Sequence, residues 1–207
     1  MIRNIIFDLG NVLLSFLPSV YLEKKNYPEN IRKTIINDIF RSREWKLLDN
    51  GDITVKEAIE SIALKSILKR EEIALVFNLR TDIMFPLTTN VKLLPELKKR
   101  GFSLYYLSNF PLDIFEEVKT GYFFFKYFDG GIISAEVKLS KPDVRIFSYI
   151  LNKYSLNADE CLYIDDIEEN VRAADSLKIR GITTYGSEDI SGMVEKALVP
   201  TLLTDEI

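Results

Sequence analysis

Residues 1–16 read MIRNIIFDLGNVLLSF. Residues 2–7 are rich in strand formers and deliver one carboxylate, Asp8, followed at once by Leu9, Gly10, Asn11 and Val12. A short apolar run that stops at a turn predicts a buried strand. Four more such runs follow, at 102–107, 131–134, 161–164 and 182–185. Helical patterns lie between most of them. TTNVKLLPELKKRG (88–101) has a polar start and Gly101 as its stop, with Pro95 inside. KPDVRIFSYILNKY (141–154) opens on Pro142, and EENVRAADSLKIRG (168–181) has acids first, bases last and Gly181 after it. Strands alternating with helices predict an α/β fold with a parallel sheet covered on both faces.

Residues 16–85 carry no strand signal. PENIRKTIINDIFRSREW, TVKEAIESIALKSIL and REEIALVFNL read as helices, the second opening with a capping box from Thr54 to Glu57. The division expected is therefore a sheet-based core, 1–15 and 86–207, with a helical unit, 16–85, inserted after the first strand.

The composition excludes several chemistries. The 207 residues contain no histidine, which removes a Ser-His-Asp triad, a Cys-His dyad and His-ligated zinc together. One cysteine, Cys161, excludes an intramolecular disulfide and a thiolate metal cluster, and its apolar neighbours make it a buried small hydrophobe. A net charge of −4 argues against nucleic acid or an anionic membrane as partner. Asp8 interrupts the N-terminal apolar run, and no segment approaches the roughly 20 apolar residues of a membrane span. A cytoplasmic location is the expectation.

The chemistry sits at the strand ends. The first strand ends in Asp8, the second in Ser108 and Asn109, and the fourth in Asp165 and Asp166. In open parallel sheets, ligands bind beyond the carboxyl ends of the strands, so these residues are expected to converge. Lys141, just ahead of a helix start, can join them. Clustered carboxylates repel one another unless a cation lies among them, and oxygen donors without His or Cys suit Mg²⁺. A hydroxyl, an amide, a lysine and a helix N-terminus suit phosphate oxygens. The set points to phosphoryl transfer through a covalent aspartyl-phosphate.

The ordered stretches IIFDLGNVLL, LYYLSN, KPDVRIF and LYIDDIEEN resemble the four motifs of the haloacid dehalogenase-like hydrolases. EWKLLDNGDIT, within the insert, is similar to a recurring stretch of that family's small caps. The resemblance spans the chain and implies a Rossmann-like core with a mobile helical cap. It implies that Asp8 is nucleophile and Mg²⁺ ligand, and that Gly10 offers the metal its backbone carbonyl. It also implies that Ser108 and Asn109 hold the phosphate, with Lys141 pairing with both nucleophile and phosphate. Of the acidic pair, Asp166 is implied as the direct metal ligand, with Asp165 supporting it or reaching the metal through water.

One position departs from the family pattern. Most phosphatases of the family carry a second aspartate two residues after the nucleophile, as the acid that protonates the leaving oxygen. Gly10 stands there. General acid–base help is worth about 10²–10⁴-fold. The FDLGNV opening is similar to that of bacterial α-D-glucose-1-phosphate phosphatases, and an anomeric oxygen leaves more readily than an ordinary alkoxide. The expected substrate is a small phosphorylated metabolite such as a sugar 1-phosphate. Two alternatives stand beside it. One is a non-catalytic phosphate- or partner-binding protein. The other is a 2-haloacid dehalogenase, in which the acidic pair would have no purpose. The sequence does not speak to oligomeric state.

Overall fold

The computed structural model describes residues 1–80, 82–186 and 188–199. Its centre is a five-stranded parallel sheet of β1 (Asn4–Phe7), β4 (Ser103–Ser108), β5 (Gly130–Ile133), β6 (Cys161–Asp165) and β7 (Arg180–Thr183). The spatial order is β5-β4-β1-β6-β7, so the chain winds both ways from the central β1. Period-2 alternation divides β1 between two cores. Ile5 and Phe7 face one, with Leu104, Leu162 and Ile164, while Ile6 faces the other, with Tyr105, Leu107 and Tyr163. The first core is covered by α7 (Leu93–Lys99), α8 (Leu112–Gly121) and α12 (Ser191–Leu198). The second lies under α10 (Val144–Lys153) and α11 (Glu168–Ser176).

Two strands were not expected. β2 (Leu14–Phe16) and β3 (Met84–Pro86) pair antiparallel as a small second sheet, and β3 falls at the end of the stretch that carries no strand signal. Three-residue strands are too short for a periodicity to register. Between them lie α1 (Pro18–Lys24), α2 (Glu29–Ile35), α3 (Arg43–Asp49), α4 (Val55–Ala63) and α5 (Arg70–Asn78). They enclose a separate apolar cluster that includes Leu22, Ile39, Trp45, Ile62, Ile73 and Phe77. The capping box forms as read: Thr54 Oγ1 accepts from the Glu57 N–H, and Glu57 accepts from the Thr54 N–H at 2.7 Å.

Other boundaries moved for identifiable reasons. The helix expected over 88–101 is two pieces, α6 (Thr88–Val91) and α7, because Pro95 has no N–H to give the carbonyl of Val91. The helix read through PENIRKTIINDIFRSREW runs through α2 into a wider turn at Ile36–Phe40 and restarts at α3, where Ser42 Oγ caps the Trp45 N–H at 3.0 Å. β7 begins two residues earlier than expected and includes Gly181. A Cβ on Gly181 would lie 2.3 Å from Val171 Cγ1, so this glycine serves close packing of α11 rather than a helix stop. No described helix is long and apolar enough to cross a membrane.

One polar link fastens the inserted helices. The Glu44 side chain, 8% exposed, accepts from Ser61 Oγ at 2.9 Å and from Lys65 Nζ at 2.7 Å. Burial raises its carboxyl, but the Lys65 and Ser61 hydrogen bonds outweigh this and hold it below the ordinary 4.5. A depressed carboxylate adds stability above its unfolded value and loses it as pH falls through the folded value. Glu44→Ala is expected to cost about 1–2 kcal/mol at neutral pH, moderated because Lys65 is half-exposed. Urea unfolding at neutral pH and at a pH below 4.5 checks this: the gap between wild type and variant should shrink in acid.

Candidate active site

Strand register brings the polar residues to one end of the sheet. Phe7 is level with Tyr106 and Ile164, so Asp8 and Asp165 lie one residue further along their strands and Ser108 two, all at the same end of the sheet. The Asp8 N–H donates to the Ile164 carbonyl at 2.8 Å, which anchors the carboxylate to β6. Asp8 Oδ1 accepts from Ser108 Oγ at 2.6 Å and lies 2.9 Å from Lys141 Nζ. The same ammonium lies 2.6 Å from Asp165 Oδ2, and both lysine and Asp165 side chains are essentially sealed, at 2% and 0% exposure. Lys141 therefore bridges the ends of β1 and β6.

Asn109 locks that lysine's backbone. Its Oδ1 accepts from the Lys141 N–H at 2.8 Å, and its Nδ2 donates to the Lys141 carbonyl at 3.0 Å. Among the described residues, one amide hydrogen of Asn109 and its backbone N–H have no partner and are open to a ligand.

The two members of the acidic pair differ. Asp165 accepts from the Ile167 N–H at 2.8 Å, from Asn170 Nδ2 at 3.0 and 3.1 Å, from Lys141 and from the Tyr163 hydroxyl. Its lone pairs are largely committed. Asp166 is half-buried and accepts from Asn11 Nδ2 at 3.1 Å. Asn11 is the turn residue of the opening stretch, in the left-handed region at φ 53°, which asparagine tolerates. Its Oδ1 accepts from the Phe16 N–H at 3.0 Å, so one side chain ties the acidic pair to β2.

Asp8, Asp165 and Asp166 offer oxygens that all lie within 4.8 Å of one another. Three carboxylates face one lysine. Burial pushes Asp8 up to about 6; Lys141 opposes the rise, while Asp165 and Asp166 add to it. Burial also raises Asp166, against the Asn11 hydrogen bond. Burial lowers Lys141, but Asp165 and Asp8 more than offset it and keep the ammonium charged. An all-oxygen donor set with surplus negative charge fits a hard divalent cation such as Mg²⁺.

These groups open into a cavity of about 220 Å³. Gly10 lies on its wall, and a Cβ there would meet only Asp8 Oδ2, at 3.9 Å. Leu14, Phe16, Trp45, Met84, Phe110 and Ile167 supply apolar walls. Trp45 stacks on Phe16 at 5.9 Å and on Phe77 at 6.1 Å while lining the cavity. Asp49 also lines it and was not singled out from sequence. The recurring stretch EWKLLDNGDIT contains both residues and was the available signal.

A family model described as haloacid dehalogenase-like hydrolase matches residues 2–177. Among characterised proteins, a sesquiterpene phosphatase of Aspergillus oryzae is 28% identical over 86% of this chain and 87% of its own. A glyceraldehyde 3-phosphate phosphatase of Methanocaldococcus jannaschii is 24% identical, over 86% and 82% respectively. Among solved structures, a HAD family enzyme of Bacteroides thetaiotaomicron superposes with a TM-score of 0.74 at 25% identity, covering 93% of this chain and 98% of that one. The same enzyme, in complex with magnesium and inorganic phosphate, superposes with a TM-score of 0.74 at 24% identity.

Proposed function

The chain belongs to the haloacid dehalogenase-like hydrolases, and on that premise we propose that it is a Mg²⁺-dependent phosphatase that works through a phosphorylated Asp8. The observation that carries this is Asp8 itself: a buried strand-end carboxylate, paired with Lys141 and Ser108, beside a second and a third carboxylate.

Asp8, the Gly10 carbonyl and Asp166 would hold the cation, with Asp165 fixing Lys141 behind them. Bound there, Mg²⁺ would supply the positive charge that offsets a carboxylate meeting a phosphate dianion. Ser108, Asn109 and Lys141 would hold the phosphate oxygens. Asp8 attacks phosphorus in line, and the bond to the alcohol oxygen breaks. Water then attacks the phosphorus of the acyl phosphate and releases Asp8. The protein's share is positioning and charge stabilisation. Residues 16–85 would act as a cap on the core formed by 1–15 and 86–207.

Two substrate classes have support. Gly10 and the FDLGNV opening favour a sugar 1-phosphate. The apolar walls favour the phosphate of an apolar alcohol, and the similarity to a sesquiterpene phosphatase agrees with them. Sugar hydroxyls need polar partners, whereas an apolar chain needs the walls present here. A panel of sugar 1-phosphates, sugar 6-phosphates, nucleotides and prenyl phosphates, ranked by kcat/KM, separates them. Phosphate release from an activated aryl phosphate tests the phosphatase reading first. Turnover is expected with Mg²⁺ and should be lost in EDTA. No turnover with metal sinks the reading. A melting-temperature rise with phosphate but no turnover would favour a non-catalytic binder, and metal-free chloride release from a 2-haloacid would favour the dehalogenase.

A further inference from the structure

We propose that Asp49, carried on the inserted helices, is the general acid–base that the glycine at position 10 leaves missing. The inference rests on the phosphatase reading above.

Asp49 is the last residue of α3 and lines the same cavity as Asp8, Gly10 and Lys141. The core holds it in place at three successive residues. Ser134 Oγ donates to the Asp49 carbonyl, and Ser140 Oγ donates to Asn50 Oδ1 at 2.9 Å. Gly51, at φ +71°, packs so closely that a Cβ would lie 2.6 Å from the Ala135 carbonyl oxygen. Ser140 directly precedes Lys141. The end of α3 is therefore docked on the loop that carries the phosphate-side lysine.

The side chain is free for this work. Among the described residues, no group hydrogen-bonds to the Asp49 carboxyl, and no cation pairs with it. Burial pushes it well above the ordinary carboxylate range. The charge of Asp8 adds to that, and Lys141 opposes it. An acid in this state holds its proton more tightly than an ordinary aspartate, whereas Asp8 lies 2.9 Å from the Lys141 ammonium. Two carboxyls in such different surroundings, one beside an ammonium and one without a cation partner among the described residues, match a common pattern of nucleophile and acid.

The proton inventory closes over both steps. As Asp8 bonds to phosphorus and the P–O bond to the alcohol breaks, the Asp49 proton passes to the leaving oxygen. Asp49, now a carboxylate, takes a proton from the water that attacks the acyl phosphate. Inorganic phosphate leaves, Asp8 is regenerated and Asp49 is again protonated. Since the acid belongs to the insert, poor leaving groups depart only when the insert is docked.

The test is kcat/KM for phosphate monoesters whose alcohols range from activated aryl to alkyl, with Mg²⁺ throughout. This ratio reports events up to loss of the alcohol. Asp49→Asn should lower it on alkyl esters by about 10²–10⁴-fold and far less on aryl esters, steepening the dependence on leaving-group acidity. A Cβ at position 10 meets only ordinary contact distance, and Gly10→Asp should restore alkyl turnover in the Asp49→Asn background. The melting-temperature rise with Mg²⁺ and inorganic phosphate should survive in Asp49→Asn, which separates a proton role from a packing role. An equal loss on every ester, or no loss on alkyl esters, overturns the proposal. Failure of the wild type on the aryl ester would instead overturn the phosphatase reading beneath it.

Discussion

Asp8→Asn is expected to abolish turnover, by about 10⁴-fold or more, in a protein that is at least as stable as wild type. The catalytic half follows from nucleophilicity: an amide oxygen cannot form the acyl phosphate, and losing a covalent nucleophile removes nearly all chemistry. The stability half follows from the site. Three carboxylates lie within 4.8 Å, and burial pushes Asp8 up to about 6, so the metal-free fold carries a penalty for holding it ionised at neutral pH. Asparagine has nearly the same shape, keeps an oxygen for Ser108 and Lys141, and removes one charge. Thermal melting without metal, alongside phosphate release with it, checks both halves. Activity above about a hundredth of wild type would refute the nucleophile assignment, and a large fall in melting temperature would show that the carboxylate is structural.

Lys141→Met is expected to be the most damaging single change to stability near the site, at about 3–5 kcal/mol. Methionine roughly fills the space of the lysine stem but leaves Asp8 and Asp165 without their common cation. Asp8 can respond by taking a proton. Asp165 is sealed from solvent and, among the described residues, keeps the neutral donors Tyr163, Asn170 and the Ile167 N–H. Adding Asp165→Asn to the lysine variant should therefore return part of the loss, a coupling of about 0.5–3 kcal/mol. Urea unfolding with a constant slope reads this directly. If the second substitution only adds to the damage, the cost lies in packing rather than in unpaired charge. Activity should fall by about 10²–10³-fold or more in either case, since the phosphate loses its cationic donor.

The parts legible in sequence were those with a local signature. Residues 2–7 stop at Asp8, and the later runs stop at Ser108 and at Asp165, so the general rule for parallel sheets was enough to expect these side chains at one edge. Register then brings them within hydrogen-bond reach. Asp165 and Asp166 are adjacent in sequence, but only packing distinguishes them: one is surrounded by donors and the other faces Asn11 and the cavity. Gly10 stood out as a departure, and the structure shows that a Cβ there would meet no clash. Other features depend on contacts between distant segments. Trp45 and Asp49 reach the site because α3 docks on residues 134–140, about 90 positions away. No periodicity encodes that. The short β2–β3 pair forms for the same reason: its two strands lie on either side of the insert.

The central claim is a covalent phosphoryl group on Asp8, and the stereochemistry at phosphorus tests it most directly. A chiral, oxygen-isotope-labelled thiophosphate ester is hydrolysed with Mg²⁺ present, and the configuration of the product thiophosphate is determined. Two successive in-line displacements, first by Asp8 and then by water, each invert phosphorus, so net retention is expected. Net inversion would mean that water attacks the ester in one step and that Asp8 never carries the phosphoryl group.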